Sequence, residues 1–359
     1  MKNVDTDEYI ALKDGRTLVL KFCIEEGALG GGPAIVQMVS GGGFHTCAIN
    51  TAGAAFCWGD AGGGGRGAGD PGQLGDGTGM SSATPVSVVQ TTAEPFRAIS
   101  AGTGHSCAIG VSGAAYCWGD NRYGQLGTGD NTSSLVPIAV NSTLEFESIS
   151  AGLLFTCAVT TSGVAYCWGQ DAVGTLGIGT GNTDTCGTLG LCELLPTLVD
   201  ASGVTFTDIA AGRAHACAVA ADGTAYCWGV GEFLGGNNFP FPPNQQSPQA
   251  VVGATGFVSV DVGSSHGCGI TAGNDLYCWG SNGNFEIGAP VMGSSGAGEQ
   301  ATFVGSGYIV ATTGTGYSCG VTAGSPGPLL GTRRLRRAWY LDLRPFVRGV
   351  RGQRNVPAR

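Results

Sequence analysis

The chain has 359 residues, a formal net charge of −9 at pH 7, 42% hydrophobic and 12% charged residues, and 66 glycines. That apolar share excludes a wholly disordered chain, and no apolar run is long enough to cross a bilayer as a helix. The acidic balance disfavours a phosphate-backbone partner, and 14 cysteines call for disulfides or metal.

Residues 1–35 form the irregular beginning. Asp14-Gly15 can be laid over Asp222-Gly223, so the segment reads either as a degenerate repeat without Cys or Trp or as an unrelated N-terminal stretch. Cys23 has no repeat partner, and no uninterrupted apolar core of a signal peptide is visible.

Residues 36–324 are repeats. Cysteines ten residues apart recur as Cys47 with Cys57, Cys107 with Cys117, Cys157 with Cys167, Cys217 with Cys227, and Cys268 with Cys278. Each pair is closed by Trp-Gly, at Trp58, Trp118, Trp168, Trp228 and Trp279. A period of about 50–60 residues signals a repeat architecture. Each centre reads as a β-hairpin, turning at Ser112-Gly113 or Asp222-Gly223 between apolar runs. Facing cysteines set the register: Trp118 lies opposite Ser106, Tyr116 opposite Ala108 and Ile109 opposite Ala115. Cysteine and aliphatic side chains then share one face and the aromatic pair the other, so the sheet belongs between two neighbours.

A glycine-rich loop follows each hairpin, as in Gln73-Leu74-Gly75, Gln125-Leu126-Gly127 and Thr175-Leu176-Gly177, with Phe233-Leu234-Gly235 and Glu286-Ile287-Gly288 as drifted copies. A Pro and Val-rich strand comes next (Pro85-Val86), and Phe96 to Ser100 leads into the following unit. Four short strands per unit predict the blade of an all-β propeller, with six or seven four-stranded antiparallel blades, closed or left open.

The spacing predicts disulfides within each hairpin, plus Cys186–Cys192 in a loop. Zinc is the competing reading, weakened by the lack of close Cys-x-x-Cys spacing. Cys319 lacks its partner, because Leu329 stands ten residues on and no Trp-Gly follows. A Cys23–Cys319 bridge between the chain ends is a further option. Residues 325–359 read as an Arg-rich tail, either disordered or the product of a lost reading frame. Without the nine arginines and one aspartate of 333–359, eight basic and 25 acidic residues remain, a net charge of −17.

The run AGTGHSCAIGVSGAAYCWGDNRYGQLGTG (residues 101–129) resembles the repeat of the regulator of chromosome condensation family, in its A-G-x-x-H start, small-residue turn, aromatic-x-Trp-Gly exit and G-Q-L-G loop. The resemblance spans roughly residues 36–324 and implies a propeller, commonly seven-bladed. The paired cysteines look like the family's secreted bacterial branch. Relatives include a nucleotide-exchange factor for a small GTPase, a β-lactamase inhibitor and a plant photoreceptor. The photoreceptor's tryptophans fall two residues before the repeat histidine, where this chain has Gly43, Thr103, Leu153, Arg213 and Ser264.

His45, His105, His215 and His266 share one repeat position, held by Phe155 and Tyr317 in the other units. A metal ring in a central channel is the chemical reading; packing and a hydrogen bond within the blade is the structural one, favoured by those replacements. Gly62–Gly69 lacks a phosphate loop's ending, and Asp60, Asp120 and Asp130 read as turn residues rather than a calcium site. The expectation is a non-catalytic propeller at the cell surface or outside the cell. It needs no cofactor or metal and binds a protein or surface polymer through its inter-strand loops (60–72, 186–192 and 237–248). A carbohydrate-binding or hydrolytic propeller and a guanine-nucleotide exchange factor are the alternatives.

Overall fold

The computed structural model describes residues 8–11, 17–20, 36–62, 72–91, 94–180, 185–186, 190–235, 244–283, 286–288, 299–322 and 326–331. Short apolar runs closed by glycine turns become antiparallel strands. Gly113, for example, takes φ +91°, a left-handed conformation that other side chains resist. Blade 1 is built from Val36–Gly41, His45–Asn50, Ala55–Gly59 and Ser82–Ser87. Blade 2 follows with Phe96–Ala101, His105–Gly110, Ala115–Gly119 and Ser134–Ala139. Blade 3 has Phe146–Ala151, Phe155–Thr160, Ala165–Gln170 and Cys192–Leu198. Blade 4 has Phe206–Ala211, His215–Ala220, Ala225–Gly229 and Gln245–Ala250, and blade 5 has Phe257–Val262, His266–Thr271, Asp275–Gly280 and Glu299–Ser306.

A sixth sheet has three strands, Tyr308–Thr313, Tyr317–Thr322 and Pro326–Gly331, with Leu329 opposite Cys319. The described residues thus form five full blades and a partial sixth, where six or seven were expected. Strand pairing also carries on through residue 331, past the expected start of the tail at 325. A separate hairpin, Glu8–Ala11 with Thr17–Leu20, lies against Val36–Gly41 and pairs Tyr9 with Val19.

Within each blade the central hairpin has the register that its cysteines dictate. Trp118 stands opposite Ser106, Cys117 opposite Cys107 and Tyr116 opposite Ala108. Cys167 likewise stands opposite Cys157 in blade 3, and Cys278 opposite Cys268 in blade 5. Side chains of period two then give each blade two apolar faces. The Cys47, Ile49, Ala55 and Cys57 face of blade 1 packs on Phe96, Ala108 and Trp118 of blade 2. The same pairing recurs between blades 2 and 3 around Trp168, 3 and 4 around Trp228, and 4 and 5 around Trp279. Trp118, Trp168, Trp228 and Trp279 are all fully buried. Each contributes on the order of 5 kcal/mol of burial before conformational entropy is counted.

Trp58 departs from the pattern and is only half-buried; among the described residues a two-stranded hairpin, rather than a four-stranded blade, precedes blade 1. On the outermost strands Pro85, Pro137, Pro196 and Pro248 sit at breaks in the ladder register. Proline without an N–H and a local bulge both discourage edge-to-edge association.

Candidate functional site

The histidines and hairpin cysteines of the repeat converge on the joints between blades. The five hairpin cysteine pairs are disulfides: Cys47 to Cys57, Cys107 to Cys117, Cys157 to Cys167, Cys217 to Cys227, and Cys268 to Cys278. Their Cα–Cα distances are 4.0–4.1 Å, and all ten sulfurs are fully buried. The sulfurs of Cys167 and Cys278, like the rest, are therefore bonded to their hairpin partners, which removes them from the competing zinc reading. Cys186–Cys192 closes a separate loop, and Cys319 carries a free, half-buried thiol whose pKa is raised by burial. Cys23 lies outside the described residues.

The histidines face forward into the next blade. His45 Nε2 lies 2.7 Å from Ser106 Oγ, and Ser106 donates its own hydroxyl to the Gln73 carbonyl at 2.9 Å. With that proton committed, Ser106 can only accept from the imidazole, so His45 is the neutral Nε2–H tautomer. Trp118 Nε1 donates to the same Gln73 carbonyl at 3.0 Å. The relay repeats one blade on: His105 to Thr156 at 2.9 Å, Thr156 to the Gln125 carbonyl at 2.8 Å, and Trp168 to that carbonyl at 3.0 Å. It returns between His266, Ser318 and the Glu286 carbonyl.

Where the histidine is absent, so is its acceptor: Phe155 of blade 3 meets a blade whose corresponding residue is Ala216. His215 breaks the correspondence, since blade 5 offers Gly267 there. Its ring nitrogens make no hydrogen bond of good geometry, and the nearest help is the His266 main chain. Trp279 Nε1 at the same joint is also unpaired, unlike Trp228, which donates to the Thr175 carbonyl.

Burial pushes all four imidazoles down: His45 to about 4, and His105 and His215 to about 3. His266 is lowered by the same cause. The glycine-rich loops complete the joint. Gly127 takes φ +71°, and a Cβ there would stand 2.8 Å from Trp168 Nε1. Nearer the axis, Ser40, Ser100 and Ser150 accept from the Ala101, Ala151 and Ala211 amides of the following blade.

The histidines and tryptophans are legible in the repeat, but their partners are not. The hydroxyl one residue before each first cysteine shows in the sequence only as a neighbour of Trp. The one available signal is its coincidence with histidine in the preceding unit. The acceptor carbonyls are main-chain groups, supplied alike by Gln73, Gln125, Thr175 and Glu286, and so leave no side-chain signature.

The acidic turn residues act locally. Asp60 accepts from the Gly62 amide and Ser81, Asp120 pairs with Arg122 at 3.0 Å, and Asp130 accepts from the Thr132 amide. No group of three or more His, Cys, Asp or Glu side chains that could hold a metal occurs among the described residues. Of the candidate loops, residues 63–71, 187–189 and 237–243 lie outside the described residues.

The same repeat is recognised in known proteins. The "Regulator of chromosome condensation (RCC1) repeat" matches over residues 112–159 and 162–219, and its second form over 96–125, 146–175, 206–233 and 257–286. The chain belongs to the regulator of chromosome condensation repeat family. Human E3 ubiquitin-protein ligase HERC2 is 30% identical over 248 residues, which is 68% of this chain but 5% of HERC2. The repeats therefore span a small fraction of that relative. Among solved structures, yeast Prp20 bound to Kap60 superposes with a TM-score of 0.66 at 20% identity, covering 80% of this chain and 68% of that one. Human WBSCR16 gives 0.65 at 16%, covering 86% and 76%. These two likenesses show the fold they share with this chain.

Proposed function

We propose that this chain is a non-catalytic propeller scaffold, outside the cell or on its surface, that binds another protein through its inter-strand loops. One observation carries this reading: the histidines, the hairpin cysteines and Trp118, Trp168, Trp228 and Trp279 lie in the blade joints, which leaves the loops as the variable, solvent-facing part. Six disulfides support an oxidising compartment, in keeping with the family's secreted bacterial branch. The acidic body favours a partner with a basic surface. Residues 1–35 are read as a degenerate repeat: with Asp14-Gly15 over Asp222-Gly223, Tyr9 and Val19 take the places of Cys217 and Cys227, and these two residues pair. Residues 36–324 are then the repeat domain proper.

The test is cross-linking of the purified protein to its captured partner from the source organism's surface fraction, with mapping of the linked residues. Cross-links confined to loops such as 186–192 support the proposal; links only to the outer strands, or capture only by the reduced protein, overturn it. Nucleotide exchange on a small GTPase is the second reading. It rests on a 32% identity over 97 residues to the bovine secretion-regulating guanine nucleotide exchange factor, 21% of that protein. Acceleration of labelled-nucleotide release from a GTPase of the source organism would establish it.

A further inference from the structure

Four hydrogen bonds recur between neighbouring blades, and one joint lacks them all. Between blades 1 and 2 the set is complete. His45 reaches Ser106 at 2.7 Å, and Trp118 Nε1 donates to the Gln73 carbonyl at 3.0 Å. The Ala101 amide donates to Ser40 at 2.9 Å, and the Gly43 amide to the Gly102 carbonyl at 3.0 Å. Between blades 2 and 3 His105, Trp168 and the Ala151 and Thr103 amides repeat these bonds with Thr156, Gln125, Ser100 and Gly152. Between blades 3 and 4 the last three remain (Trp228 to Thr175, Ala211 to Ser150, Leu153 to Gly212), and the buried Phe155 ring needs no partner. The sixth sheet is tied to blade 5 by His266 with Ser318, by the Thr313 amide on Asp261 and by the Ser264 amide on the Gly314 carbonyl.

Between blades 4 and 5 none of the four is made. Gly267 replaces the hydroxyl, so both ring nitrogens of the fully buried His215 go without a hydrogen bond of good geometry. Trp279 leans to within 2.9 Å of where a β-carbon on Gly267 would stand, and its buried Nε1 is unpaired too. Ala210 replaces the inner-strand serine, and the Val262 amide turns to Asp261 of its own blade. The Arg213 amide makes no bond to the Gly263 carbonyl. What crosses this joint is the apolar cluster around Trp279, with bonds from the Val260 amide to Asp208 at 3.1 Å, the Phe257 amide to the Gly223 carbonyl at 2.9 Å and the Ala301 amide to the Val252 carbonyl at 2.9 Å. Buried donors without partners weaken an interface that its apolar contacts must then hold.

We propose that the joint between blades 4 and 5 is the opening seam of the propeller, and that its separation uncovers Cys217–Cys227 as the redox-sensitive bridge of the hairpin set. Blades 1–4 move as one body, and blade 5 with the sixth sheet as another. Segments held by fewer buried links open at lower free energy than the whole fold. Cys217 and Cys227 lie in the cluster that Phe257 and Trp279 of blade 5 cover, as Cys107 and Cys117 lie under Phe146 and Trp168 of blade 3. The two bridges are otherwise alike: each closes a separation of ten residues at a Cα–Cα distance of 4.1 Å, with its sulfurs fully buried. A difference in their reactivity therefore reports the joint above them. The inference goes beyond the loop-binding proposal and holds whatever the loops bind.

The experiment reduces the intact oxidised protein with tris(2-carboxyethyl)phosphine at neutral pH across a urea series, followed by alkylation and mass mapping. The phosphine cleaves the sulfur–sulfur bond and, with one water, becomes its oxide, leaving two thiols that the alkylating agent marks. Rates in fully unfolding urea correct for the intrinsic reactivity of each bridge. Cys217–Cys227 is expected to become reducible at lower urea than Cys107–Cys117. Below the global unfolding transition, followed by circular dichroism, it should react about 10-fold faster, the factor that one lost buried hydrogen bond corresponds to. Gly267→Ser supplies the hydroxyl that His215 lacks, and Ala210→Ser supplies the inner-strand acceptor. Each should delay reduction of Cys217–Cys227 and leave Cys107–Cys117 unchanged. Reduction of the two bridges in step at every urea concentration overturns the proposal, as does earlier reduction of Cys107–Cys117 or an unchanged Cys217–Cys227 rate in both variants.

Discussion

His105 Nε2 reaches Thr156 Oγ1 at 2.9 Å across the joint between blades 2 and 3, and that hydroxyl donates its own hydrogen bond to the Gln125 carbonyl. Both groups are fully buried, so the bond is made in a medium where an unpaired partner is costly. The joint is thus polar at its centre and apolar around it, and its side chains act in complementary sets.

Removing one member should be worse than removing both. Ser106→Ala leaves the buried His45 donor unpaired and is expected to cost about 1–3 kcal/mol. His45→Phe combined with Ser106→Ala recreates the Phe155 and Ala216 combination and should recover part of that loss. Denaturant unfolding of the two single variants and the double variant measures the coupling.

Gly127→Ala should be among the most damaging single substitutions. It places a β-carbon in a left-handed conformation and against the Trp168 indole. A loss of roughly 2 kcal/mol or more is expected, visible as a lowered thermal midpoint and altered tryptophan fluorescence.

Gly267→Ser should act in the other direction. It supplies the hydroxyl that His215 lacks, at a position where Ser106 and Thr156 already stand beside the same tryptophan. The Trp279 ring has to shift to admit it, since a Cβ on Gly267 would meet that ring at 2.9 Å. A gain of about 1 kcal/mol in unfolding free energy is expected, and a drop would show that the indole cannot move.

Acid should loosen the joints through the histidines. Their folded pKa values lie below the ordinary 6.5, so the stability they confer is complete above that pH. It is lost progressively as pH falls from about 6.5 toward 3–4, by about 1 kcal/mol per pH unit for each buried imidazole. Chemical denaturation at a series of pH values checks this. A midpoint flat between pH 7 and 4 in wild type, or an unchanged slope in His105→Phe with Thr156→Ala, would contradict it.

Native-state alkylation should separate the cysteines. Cys319 is half-buried and should react without reduction, slowly because burial raises its pKa. The hairpin disulfides, from Cys47–Cys57 through Cys268–Cys278, are fully buried and should resist a mild reductant until denaturant opens the blades. Mass mapping of the labelled peptides reads out both.

The content of a blade was legible because hairpin pairing is local. Once Cys107 faces Cys117 across a ten-residue loop, Trp118 can only oppose Ser106, and the faces follow from alternation. The exits were less clear. Trp58 reads identically to Trp118 yet is only half-buried, because burial depends on the preceding unit and not on its own. Glu94 and Gly110 illustrate the remaining difficulty: a carboxylate and a missing side chain answer each other across a loop, with no motif to link them.

From the amino-acid order alone came the all-β repeat, its strand register and the pairing of its faces, since all three arise within some thirty residues by alternation and turn chemistry. Tertiary structure decided which hydroxyl meets which histidine and which main-chain carbonyl anchors the Trp118, Trp168 and Trp228 indoles. Those relations join residues about a repeat apart in sequence, and only the stacking of one sheet on the next brings them into contact.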